Sequence, residues 1–234
     1  MDRLEPPDLD RNEFFQGLLA QVEAAVRIAG NARGYLNWQG VLNTAYRLRG
    51  EAIFVDLLQA PARTQRIFAV VATTMIEAAR RFYDRQRRHG CDVRFITVAN
   101  CMLNMISPRH YRDLLLPHDL RLRGAFESFG VHNCAWTVDP HLEAYATIPG
   151  LGYLDLGLES DLRRVRTLFP RARRNLLYRP TDLKNKSWEQ IRADLDRIAA
   201  ELGPCDLGLP DIEADTPDER IVSVLDYCRE LSGR

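Results

Sequence analysis

The stretch Phe129-Gly130-Val131-His132-Asn133-Cys134, running on to Asp139-Pro140, decides how the chain is read. An apolar run ends at His132, a short polar loop follows, and an Asp-Pro pair opens a helix. Apolar run, loop and helix make the β-α unit of a parallel sheet. In such folds chemistry collects at the C-terminal ends of strands. If 129–134 is a strand, alternation sends His132 and Cys134 to the same face. Imidazole and thiolate so placed suit a zinc ion. Cys205, in Leu202-Gly203-Pro204-Cys205-Asp206, occupies a similar station between two helices. Together they make a candidate Cys2His centre with an open fourth position, the form of a catalytic rather than a structural zinc.

The same unit recurs outward from this stretch. Residues 1–12 are polar and contain proline, and read as an arm. Phe14, Leu18, Leu19, Val22, Ala25 and Val26 follow at helical spacing. Gly34 to Trp38 reads as a strand, Val41–Leu48 as a helix stopped by Gly50, and 51–58 as another short helix. Pro61 starts a long helix, because proline at the first position lacks only an unused N–H. That helix carries Ile67, Val70, Val71, Met75, Ala78 and Phe82 on one face. Arginines crowd its last turns, where cations suit the helix dipole.

Val93–Ala99 reads as a strand, and Ser107-Pro108 caps a helix running to about Phe126. Tyr153–Leu156 and Asn175–Tyr178 read as strands, with Asp161–Leu168 as a helix between them. Ser187 with Gln190, and Thr216 with Glu219, read as capping boxes for the last two helices. About five to six β-α units result, as barrel or doubly wound folds require.

Composition bounds the rest. The chain has 234 residues, 46% hydrophobic and 27% charged, enough for one full core. Lys plus Arg equals Asp plus Glu at 32 each, so no global field recruits nucleic acid or an anionic membrane. No apolar run approaches the ~20 residues of a membrane span. The charged start Met1-Asp2-Arg3 lacks a signal peptide's apolar core, which predicts a cytoplasmic location. Five cysteines do not suggest a disulfide framework.

Other candidates are weaker. Asn100-Cys101 lies at a strand end, where Cys101 is a fourth ligand or a site-lining thiol and Asn100 a substrate contact. A buried, inert Cys101 is the plainer alternative. Tyr153 and Asp155 share a strand beyond the metal pair and are further candidate substrate contacts. Asp155 is placed to orient a ligand imidazole, or else is a strand-end turn residue. Gly150-Leu151-Gly152 lacks the glycines of a phosphate loop. No Gly-x-Ser-x-Gly elbow is present. Arg171-Ala172-Arg173-Arg174 reads as a solvated turn.

Four stretches resemble the uroporphyrinogen decarboxylase superfamily, in its cobalamin-linked methyltransferase branch. They are Leu48-Arg49-Gly50-Glu51 with Leu57-Leu58-Gln59-Ala60-Pro61; Ile106-Ser107-Pro108-Arg109-His110-Tyr111 with Leu116-Pro117; His132-Asn133-Cys134; and Cys205-Asp206 with Asp215-Thr216-Pro217 and Ile221. The resemblance covers roughly residues 33–230.

It implies one (β/α)8 TIM-barrel-like domain over 1–234, which the short N-terminal part leaves incomplete. It further implies zinc on His132, Cys134 and Cys205, holding a substrate thiol as thiolate. The expected activity is methyl transfer between a corrinoid and a thiol-type acceptor. Cobalamin would come on a partner protein or free, since no segment reads as a corrinoid-binding domain. The missing early strands would be supplied by another arrangement, a homo-oligomer or a second chain.

The decarboxylase's own Arg-rich N-terminal motif and catalytic Asp have no counterpart here. Two alternatives accompany this expectation. One is a decarboxylase-like enzyme acting on a tetrapyrrole or other carboxylic acid. The other is a non-catalytic metal- or corrinoid-binding partner subunit.

Overall fold

The computed structural model describes residues 4–233. Contacts divide the chain into two compact units, Met1–Gly130 and Val131–Arg234. In the first, α1 (Glu13–Ala29) starts at Asn12, whose side chain accepts the Phe15 N–H. It ends at Gly30, which takes the left-handed conformation at φ 72°. Its buried stripe is Phe15, Leu19 and Val22, while Phe14 is 84% exposed. The face is therefore rotated by one position from the one the sequence predicts, because α1 packs this stripe against the long helix α4.

Strand β1 is only Trp38–Gln39, shorter than the sequence suggests. Then come α2 (Val41–Arg49), α3 (Ala52–Gln59) and α4 (Pro61–Arg88), the last with Pro61 in its first turn. Its core face runs Ile67, Phe68, Val71, Ala72, Met75, Ala79, Phe82 and Tyr83. Strand β2 (Phe95–Ala99) alternates exposed Phe95 with buried Ile96 and Val98, and pairs in parallel with β1 through Trp38–Val98 and Gln39–Ala99. A 3-10 turn, Cys101–Met105, follows it.

The helix predicted from Ser107 to Phe126 is broken. It forms as α5 (Pro108–His110), a π turn over Tyr111–Leu115, and α6 (Leu116–Ala125). Pro117 has no N–H for the residue 113 carbonyl, so the helical ladder cannot run through unchanged. Ser107 caps the first piece as predicted, its side chain accepting the His110 N–H. Strand β3 (Ser128–His132) carries the chain into the second unit.

There, a 3-10 turn at Asp139–His141 leads into α7 (Leu142–Ala146), then β4 (Leu151–Leu156), α8 (Leu162–Leu168) and β5 (Arg173–Leu177). Helix α9 (Pro180–Asn185), which the sequence reading passes over, precedes α10 (Trp188–Glu201). Ser187 and Gln190 form the expected capping box on α10. Strand β6 (Asp206–Gly208) and α11 (Asp218–Ser232) complete the chain.

The second predicted box does not form. Helix α11 is capped by Pro217, one residue past Thr216, whose buried Oγ1 has no hydrogen-bond partner. A capping box needs the Thr itself at the cap.

The order along the sheet is β1-β2-β3-β4-β5-β6. Parallel register aligns Asp155 with Asn175, and Asn175 with Asp206. This is an α/β fold with six strands among the described residues, against the eight of a complete barrel. No described helix is long and apolar enough to cross a membrane.

Candidate metal centre

His132 is the last residue of β3, and the chain turns away from the sheet immediately after it. Cys134 is therefore not on a strand, and alternation does not place it. Its backbone is left-handed, φ 60°, and this turn brings Sγ back to 3.1 Å from His132 Nε2. The other ring nitrogen, Nδ1, lies 2.5 Å from Asp155 Oδ2 on β4. An ionised carboxylate only accepts, which assigns the ring proton to Nδ1 and leaves the Nε2 lone pair facing the thiol.

Asp155 is 1% exposed and held on several sides. Its Oδ1 accepts the Asn133 N–H at 2.7 Å, and its Oδ2 accepts the Tyr153 hydroxyl at 3.1 Å. Tyr153 accepts in turn from Asn175 at 3.0 Å. Burial, with the Asp155 charge beside it, pushes the Tyr153 phenol up to about 12, so it stays a donor at neutral pH. Asn133 is fixed by the Tyr145 hydroxyl, which donates to its Oδ1 at 2.7 Å. Tyr153 thus stands behind the imidazole and acts on it through Asp155.

Within the second unit His132 and Cys134 bring an imidazole Nε2 and a thiol Sγ to 3.1 Å. A thiol and an imidazole with its second nitrogen tied to a carboxylate are donors that suit zinc. Cys101 directly follows β2, in the first unit.

Among the described residues, Cys205 belongs to no group of three metal-ligating side chains. It precedes β6, whose Asp206 is in register with Asn175 and Asp155. Cys205 itself lies outside the strand, so alternation does not place it. Burial pushes its thiol up to about 11, and Arg174, Asp206 and Cys228 of α11 are the charged and titratable groups that act on it.

Asn100 also serves a buried group. It is 1% exposed and donates to Asp119 Oδ2 at 3.1 Å, where the Tyr111 hydroxyl donates at 2.9 Å. Burial pushes the Asp119 carboxyl up to about 7.

A cavity of about 440 Å3 opens beside the imidazole–thiol pair. His132, Cys134, Ala135, Trp136, Leu177, Arg179, Pro180, Pro210 and Asp211 line it. Trp136 is 54% exposed. Cys134 and Asp211, at φ 60° and 49°, are the non-glycine residues with left-handed backbone among those described, and both line it. Strain of this kind gathers at ligand sites. Sequence reasoning passed over Trp136, Arg179 and Asp211. Arg179 was within reach of the rule used for Asn100, since it follows the end of β5.

No family model matches the chain, and no curated protein matches it. Among solved structures it is similar to a methyltransferase from Methanosarcina mazei, with a TM-score of 0.68 at 17% identity. The alignment covers 97% of this chain and 70% of that one. The likeness establishes the fold as that of the methyltransferase.

Proposed function

We propose that the protein is a zinc-dependent methyltransferase that moves a methyl group between a corrinoid and a thiol-type acceptor. The observation that carries this is the His132–Cys134 pair, with Nε2 and Sγ 3.1 Å apart and Nδ1 tied to a buried carboxylate. Methyltransferase-like folding over 97% of the chain supports it. In this proposal His132 and Cys134 hold the metal, and the chain acts as one domain. Bound zinc supplies a Lewis acid that keeps a substrate thiol in its nucleophilic thiolate form at neutral pH.

The protein's own groups do the rest. Asp155 keeps the imidazole proton on Nδ1 and so leaves Nε2 able to bind metal. Asn133 and Tyr153 hold Asp155 in turn. Leu177, Pro180 and Pro210 give the cavity apolar walls that limit water near the sulfur. Its volume of about 440 Å3 lies within the usual range for small ligands. The corrinoid comes on a separate protein or free.

Elemental analysis of the purified chain tests this. About one zinc per chain, as a single centre requires, is expected, lost in Cys134→Ser together with methyl transfer from methylcobalamin to a thiol. Metal-free wild-type protein refutes it.

A further inference from the structure

The loop that carries Cys134 lies directly on the turn that follows β4. Gly157, the first residue after β4, donates its N–H to the Trp136 carbonyl at 2.8 Å. A Cβ at Gly157 would stand 2.3 Å from the Ala135 carbonyl oxygen, 2.5 Å from its carbon and 3.1 Å from the Trp136 nitrogen. All of these are backbone atoms, so no side-chain rotation relieves the contact.

The same turn holds the loop farther along. Ser160, 1% exposed, accepts the Val138 N–H on its Oγ at 3.2 Å. Its own N–H closes the turn on the Gly157 carbonyl at 3.1 Å, and the Asp161 N–H reaches Asp139 Oδ1 at 2.9 Å. The loop after β3 is thus moulded on the turn after β4 from residue 135 to residue 139.

We propose that Gly157 is a positioning residue for the metal centre: its missing side chain lets the Cys134 loop settle where Sγ meets His132 Nε2. This rests on the metal-centre proposal above. Any side chain at 157 must push Ala135 back by about 1 Å to reach ordinary contact distance. Cys134 immediately precedes Ala135, and a metal site tolerates displacements of only about 0.5 Å.

The test is cobalt(II) loading of the full chain, followed by metal titration and by the thiolate-to-cobalt charge-transfer absorption. Gly157→Ala is expected to bind cobalt about 10–100-fold more weakly than wild type, with a diminished thiolate band. Leu195→Ala, which removes a buried side chain on α10, is expected to lower the melting temperature and leave both metal readouts unchanged. Gly157→Ala binding cobalt within about twofold of wild type, with the same band, overturns the proposal and leaves the metal centre standing. A wild-type chain that takes up no cobalt removes the metal centre and this proposal together. Should Gly157→Ala not fold, Ser160→Ala asks the same question, and unchanged affinity there overturns the proposal as well.

Discussion

Replacing Asp155 by Asn probes the centre at its most buried support. Oδ2 has His132 Nδ1 at 2.5 Å and the Tyr153 hydroxyl at 3.1 Å, and Oδ1 has the Asn133 N–H at 2.7 Å. Asn keeps the shape and one acceptor. With its oxygen on the Asn133 N–H, its NH2 faces Nδ1. An amide N–H donates, so Nδ1 must accept and the ring proton moves to Nε2. Nε2 can then bind metal only after losing that proton. The tautomer change should weaken zinc binding about 10–100-fold, or about 1.4–2.7 kcal/mol.

Stability should fall as well, since one hydrogen bond to a charged group is lost, at about 1.5–3 kcal/mol. For a chain of this size that is a drop of about 3–12 °C in melting temperature. The assay is competitive zinc titration against a chelator, beside thermal unfolding of the metal-free protein. A lowered melting temperature with zinc affinity within about twofold of wild type would refute the tautomer argument and leave Asp155 a purely structural residue.

Further outcomes follow from the same geometry. Cys134→Ser should lose bound metal, while Cys205→Ser should keep it; metal loss in Cys205→Ser alone would reverse the assignment. Cys205 is held at about 11 against an ordinary 9.0. The unfolded chain therefore gives up this proton first, and the stability gained from the protonated thiol fades as pH rises through that window. Cys205→Ser should flatten the alkaline limb of an unfolding series.

His118 is lowered to about 4 from 6.5 by burial and Arg121, while Asp119 is raised to about 7 from 3.8 by burial. Stability from neutral His118 is lost as pH falls toward 4, and stability from protonated Asp119 is lost as pH rises toward 7, so the two oppose each other. Asp119→Asn should leave His118 unopposed. Stability relative to wild type should then rise with pH by up to about 1.4 kcal/mol per unit. A difference independent of pH in urea unfolding would contradict this. Ser187→Ala should remove the α10 cap, at about 1 kcal/mol.

Much of the fold was legible where local chemistry is strong. Pro61, the apolar face of α4 and the Ser187–Gln190 box all gave elements where the sequence placed them. Legibility failed where tertiary packing decides. Phe14 and Phe15 are equally apolar, and only the neighbour α4 selects Phe15 for burial. Pro117 was visible, but its effect, a π turn upstream of it, depends on where the helix must point. Thr216 matched a motif one residue out of place.

At the centre, His132 and Cys134 do come together, but not by the route their spacing suggests. The pleat of a strand would have brought the two side chains to one face, but β3 ends at His132 and a left-handed turn does the work. Cys205 shows the converse. The rule that chemistry gathers at strand ends names stations along the sheet, and it says nothing about which face a side chain takes. Strand β6 is only Asp206–Gly208, too short for its alternation to be read, so nothing marked Cys205 as standing before the strand rather than after one. Asp206 is in register with Asn175 and Asp155 and shares their face. Cys205 stands before the strand, where its thiol is buried and feels Arg174, Asp206 and Cys228.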